Sequence, residues 1–162
     1  MVKRMQRKDL KILLLQIRDD QKVRDEEHQS FARYSNLNPE QIHVHNVFDK
    51  PNFHPDIVDG FDALYVGGAS EANVLLPNKY IFVEDCLELI RYAADRNVPT
   101  FASCFGFQRA ILAFGGTILS RETDYEMGSI PINLTNLANV DKVYKGIKLS
   151  LIHISEPTRQ AS

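Results

Sequence analysis

Residues 11–17, KILLLQI, form a near-continuous apolar run of strand length. That is the pattern of a strand buried on both faces of a parallel sheet. The polar stretch 19–36 holds neither Gly nor Pro and has apolar side chains at Val23, Phe31 and Tyr34; it predicts a helix. Residues 41–47, QIHVHNV, set Ile42, Val44 and Asn46 against His43, His45 and Val47. This period of two predicts a strand nearer a sheet edge. Residues 50–60, with two prolines, one glycine and no periodicity, read as a loop. ALYVGG, 63–68, is the next buried strand, closed by a glycine pair and followed by loop to residue 79. The clearest helix is 80–96, where Phe82, Cys86, Leu89, Ile90 and Ala93 share one face. Residues 99–104 predict a further buried strand and 105–114 a short helix stopped by Gly115-Gly116, with short strands at 116–119 and 130–134. Strands alternating with helices predict an α/β fold, an open, mostly parallel sheet with helices on both faces.

Composition narrows the function. The chain has 162 residues, 44% hydrophobic and 25% charged, with a formal net charge of −2. This fits one globular domain and gives no electrostatic footprint for nucleic acid or a membrane surface. Two cysteines suggest no disulfide framework, so a cytoplasmic setting is expected. Residues 1–10 are a basic lead-in. The apolar run after them ends at Arg18-Asp19-Asp20, short of the ~7–15 residues of a secretory core. No segment approaches the ~20 apolar residues of a membrane span.

The candidate chemistry lies at FASCFGFQRA, 101–110. Here Cys104 closes a predicted strand and opens a predicted helix, with Gly106 two residues on. In open α/β sheets ligands bind at the carboxyl ends of the strands. A thiol at such a corner projects from the top of the sheet, and the helix N-terminus favours its thiolate. Free cysteine is more often buried filler, which suits Cys86 on its apolar helix face. Gly67-Gly68 closes another strand on the same side of the sheet, where backbone N–H groups of Gly68 and Phe105 would hold a developing oxyanion.

VPTFASCFGFQRAILAFGGTI resembles the nucleophile elbow of class I glutamine amidotransferases in Ser103, Cys104, Gly106, Gln108 and Gly115-Gly116. FDALYVGGASE resembles that family's oxyanion strand through Gly67 and Gly68, with Ala69 where a proline is common. The resemblance spans residues 11–147, including YEMGSIPINLT, and is nearest to stand-alone relatives of the amidotransferase domain of GMP synthase. It implies a flavodoxin-like fold and a catalytic Cys104 that attacks the side-chain amide of glutamine, or a related amide, to give a thioester and ammonia. It further implies oxyanion and substrate contacts at Gly67, Gly68, Phe105 and Gln108, and elbow geometry from Ser103 and Gly106. No cofactor or metal is implied. A synthetase or other ammonia acceptor is the implied partner.

A cysteine nucleophile needs an oriented base. The family places a His-x-Glu pair further beyond the cysteine than this chain extends. His28, His43, His45 and His54 precede the elbow, and His153 stands three residues before Glu156 in LSLIHISEPTRQAS. That string resembles translated read-through of a sequencing adaptor. Residues 149–162 are therefore read as a non-native tail, and 11–148 as an amidotransferase-like domain with its C-terminal part missing. This chain alone is expected to be inactive. Two alternatives stay open: a non-catalytic binding or regulatory module on the same fold, and a cysteine hydrolase of the DJ-1/PfpI group. Against the second, Phe105 stands where that group carries histidine.

Overall fold

The computed structural model describes residues 6–70, 72–74, 78–118, 129–130, 136–141 and 152–153. The chain divides into two compact units, residues 1–118 and 119–162. In the first, the order is β1 (Ile12–Gln16), α1 (Gln21–Ser35), β2 (Ile42–Asn46), β3 (Ala63–Val66), α2 (Phe82–Asp95), β4 (Thr100–Ala102) and α3 (Phe105–Ala113). The four strands form one parallel sheet in the order β2-β1-β3-β4. Leu14 pairs with Val44 on one side and Tyr65 on the other, and Tyr65 pairs with Phe101.

The chain steps outward from β1 to β2, then returns past β1 to β3. Right-handed crossovers therefore put α1 on one face and α2 on the other. The burial pattern agrees. Ile12 and Leu14 pack with Ala32 of α1 and Ile42, while Leu13, Leu15 and Ile17 join the larger core under α2 and α3. All five residues of β1 are buried, as its continuous apolar run predicts. Each such aliphatic side chain contributes about 1.5–3 kcal/mol when taken out of water. The five apolar-face residues of α2 named above are buried as well.

Local chemistry fixes the helix ends. The Asp20 carboxylate accepts the Val23 N–H at 3.0 Å and starts α1; Asn36, left-handed at φ 54, ends it. Gly115 at φ 82 closes α3, with Gly115 N–H donating to Leu112 O at 3.2 Å and Gly116 N–H to Ile111 O at 2.8 Å. This paired C-terminal motif needs a residue free to adopt positive φ.

Several apolar side chains are exposed. Tyr34 lies at the outer end of α1, Val44 on the edge strand β2 and Phe101 on β4. Strand β4, expected to be buried, is the opposite edge of the sheet formed by the described residues, and its first two residues are exposed. Residues 116–118 are irregular rather than extended.

In the second unit, β5 (Ser129–Ile130) pairs antiparallel with β6 (Ile152–His153), in the register Ser129 to His153 and Ile130 to Ile152. Residues Asn136–Asn139 form a 3-10 turn. Residues 119 and 131–134, part of the predicted short strands, lie outside the described residues. No helix among the described residues is long and apolar enough to cross a membrane.

Candidate functional site

The corner between β4 and α3 is the most constrained backbone of the first unit. Ser103 N–H donates to Val66 O at 2.9 Å, which carries the β3–β4 pairing up to the turn. Cys104 then takes φ 49, ψ −106. A non-glycine residue held there costs on the order of 1–3 kcal/mol and persists only where its surroundings enforce it. They do so here. Gly106 N–H is shared between Ser103 O at 2.9 Å and Gly67 O at 3.2 Å, and Gln108 N–H donates to Cys104 O at 3.0 Å. A Cβ on Gly106 would stand 2.6 Å from Val66 Cγ1 and 2.8 Å from Val66 O. Only glycine lets the first turn of α3 settle on the end of β3.

The turn delivers an exposed Cys104, whereas Cys86 is buried. Burial pushes the Cys86 thiol well above its ordinary range, only partly offset by the Arg109 cation. Phe105 opens α3, so its N–H has no intrahelical acceptor and lies beside the thiol.

Gly67 and Gly68 cradle an ion pair. Glu27 of α1 and Arg18, just past β1, meet at 3.0 Å with side chains 10% and 19% exposed. A Cβ on Gly67 would lie 2.9 Å from both Glu27 carboxylate oxygens; one on Gly68 would lie 2.8 Å from Arg18 Nη2 and 3.4 Å from Cys104 Cβ. Gly68 N–H, an expected oxyanion donor, gives its hydrogen to Glu27 Oε1 at 3.3 Å. Arg18 Nη1 donates to Ser70 Oγ at 2.7 Å. The loop bearing Arg18 is itself tied down, because Arg18 O accepts from Arg24 Nε at 2.9 Å and Asn46 Nδ2 at 2.9 Å. Arg24 is fixed in turn by its Nη1, which donates to both Asp49 carboxylate oxygens at 3.0 and 2.9 Å.

These groups open on one groove of about 730 Å³. One end of it lies at the carboxyl ends of β1, β3 and β4, where strand order reverses between β1 and β3 and doubly wound sheets bind ligands; from there it runs along α1 as far as Ser35. Arg18, Gly68, Ser103 and Cys104 line its polar end. Phe31, Tyr34, Tyr65 and Phe101 line its aromatic part, and Glu26, Glu27, Ser30 and Ser35 of α1 add polar groups along one wall; Phe31 stacks on Tyr65 at 5.2 Å and meets Phe101 edge-on at 6.2 Å. Of the residues predicted for the site, the structure brings Cys104, Ser103 and Gly68 to the groove. Gly67 lies behind the ion pair, while Phe105 and Gly106 are buried beneath the elbow. Gln108 is half-buried one turn along α3 and does not line the groove.

Among the described residues no histidine lines this groove. His28 meets Ile42 O at 3.1 Å, His43 packs on Phe61, His45 meets Lys50 O at 3.1 Å, and exposed His54 sits 3.1 Å from Asp56. No group of three His, Cys, Asp or Glu among the described residues is placed to hold a metal ion. Sequence reasoning missed Arg18 and Glu27. Arg18 had a signal, as a cation two positions beyond a buried strand at the ligand-binding end of the sheet. Glu27 had none, being one acidic residue among several on a polar helix.

A model of the class-I glutamine amidotransferase family matches residues 67–156 of this chain. The crystal structure of SMU.1228c is similar in fold, with a TM-score of 0.59 at 19% identity, over 82% of this chain and 55% of that one. The chain thus spans little more than half the length of that neighbour. None of the curated proteins compared with it matches.

Proposed function

The chain belongs to the class-I glutamine amidotransferase family, and from that premise we propose that Cys104 is the nucleophile of an amide-cleaving site. The Cys104 thiolate attacks the side-chain amide carbon of glutamine or a related amide, forming a C–S bond and a tetrahedral oxyanion. Phe105 N–H, and Gly68 N–H once Glu27 releases it, hold that oxyanion. The C–N bond then breaks, the nitrogen leaves with a proton as ammonia, and water hydrolyses the thioester to the free acid. The observation that carries this reading is the enforced backbone of Cys104, which holds an exposed thiol at the groove mouth beside Gly68.

The proton shuttle is not among the described residues lining the groove. On this reading residues 6–118 supply the nucleophile and the oxyanion donors. General acid–base catalysis contributes about 10²–10⁴-fold, so turnover at this thiol depends on a proton donor and acceptor that reaches the groove. The test is mass spectrometry after exposure to 6-diazo-5-oxo-L-norleucine, a glutamine analogue that alkylates a nucleophilic thiol. One adduct on Cys104, prevented by glutamine and lost in Cys104→Ala, is expected. Modification of Cys86, or none at all, would sink the assignment.

A second reading, a ligand-binding module that keeps the elbow without turnover, is favoured by the Glu27 carboxylate on Gly68 N–H. It predicts that glutamine protects Cys104 while no ammonia forms even after prolonged incubation.

A further inference from the structure

Arg18 stands at the polar end of the groove with two of its nitrogens committed. Nε donates to Glu27 at 3.0 Å and Nη1 to Ser70 at 2.7 Å. Nη2 has no hydrogen-bond partner among the described residues, and it shares the space above Gly68 with Cys104 Cβ. Its surroundings are rigid, because the Arg18 carbonyl is gripped by Arg24 and Asn46. Asn46 is bonded to the buried Gln16 at 3.1 Å, and Gln16 donates to Arg24 O at 2.9 Å. Glu27 therefore aims the guanidinium rather than consuming it. One of its oxygens takes Arg18 Nε and Gly68 N–H; the other is buried with no hydrogen-bond partner among the described residues. A carboxylate in that state is tolerated only beside a cation that stays in place.

We propose that Arg18 is the carboxylate-binding residue of this site. It would hold the α-carboxylate of an amino-acid substrate while the side-chain amide lies at Cys104, with Glu27 as the positioning residue that orients it. Guanidinium donors suit a carboxylate by charge and by planar geometry. The identity of the substrate as a side-chain amide rests on the proposed function; the anion preference of the groove does not.

The test compares alkylation of Cys104 by iodoacetate and by iodoacetamide, which differ in a carboxylate against a neutral amide. Proteins to compare are the unmodified chain, Arg18→Gln, Arg18→Lys and the double variant Arg18→Gln/Glu27→Gln. The double variant leaves no unpaired buried carboxylate and guards against misfolding of the single one. The iodoacetate-to-iodoacetamide rate ratio should drop at least about threefold in Arg18→Gln and in the double variant, recover partly in Arg18→Lys, and shrink with added salt. An unchanged ratio in the folded double variant would overturn the assignment. Protection of Cys104 by L-glutamine and by its α-amide separates the two claims. Stronger protection by glutamine supports both. Equal protection by the two, with an unchanged ratio, removes Arg18 and leaves the amidotransferase reading standing. A ratio that changes, with no protection by either compound, keeps Arg18 as an anion site and removes the glutamine reading.

Discussion

Cys104 holds positive φ although it carries a Cβ, and the hydrogen bonds of Gly106, Ser103 and Gln108 leave it no alternative. Strain of this kind is worth on the order of 1–3 kcal/mol, whereas glycine at an ordinary position costs about 0.5–1 kcal/mol in chain entropy. The first term is the larger. Cys104→Gly should therefore be more stable than Cys104→Ala by about 1 kcal/mol, with both variants losing the thiol chemistry. Urea unfolding of the two variants reads this difference. An alanine variant as stable as the glycine one would mean that the corner relaxes without cost.

Between α2 and α3 lies a second buried cation, and its circumstances are unlike those of Arg18. Arg109 is 2% exposed, its Nε and Nη2 have no hydrogen-bond partner among the described residues, and the exposed Glu84 carboxylate stands 3.7 Å away. Desolvation pulls its pKa down from the usual arginine value, with Glu84 opposing, yet a guanidinium stays charged. A buried charge without good partners costs more than the attraction returns, and apolar replacements of similar volume are often stabilising. Arg109→Met should raise stability by about 1–2 kcal/mol, visible as a higher thermal midpoint. A fall in midpoint would mean that the guanidinium is balanced by groups beyond Glu84. Arg24 is the useful contrast, since Asp49 and the Arg18 carbonyl satisfy it and its removal should destabilise the β1–α1 connection.

For the molecule as a whole, acid should erode stability partly through His45. Burial against Phe53 lowers its pKa below the ordinary histidine value, the bond to Lys50 O opposing in part. The unfolded chain then binds the proton more readily than the folded one. The contribution of His45 is fully present above the unfolded pKa near 6.5 and is lost as pH falls through the lower folded value. Unfolding free energies at pH 7.5 and 5.5 should differ less in His45→Gln than in the unmodified chain. An equal pH dependence in both would show that His45 does not drive the loss.

The element order and the elbow were legible before any coordinate. A run such as ILLLQ has one favourable environment, the middle of a parallel sheet, and a cysteine followed by glycine between an apolar strand and an apolar helix has few uses but a corner. Those signals are local, because they depend on periodicity and on the φ/ψ range each residue tolerates. The edge character of β2 was already in its period of two, but tertiary structure alone left Phe101 of β4 exposed on a strand whose apolar character suggested burial. It also decided the neighbours of the glycine pair. Nothing in the spacing of Arg18, Glu27, Gly67 and Gly68 announces that they meet. They converge because the β1–α1 turn and the end of β3 lie side by side in the sheet, and charges attract strongly only once packing has brought them within a few ångströms and removed the water between them.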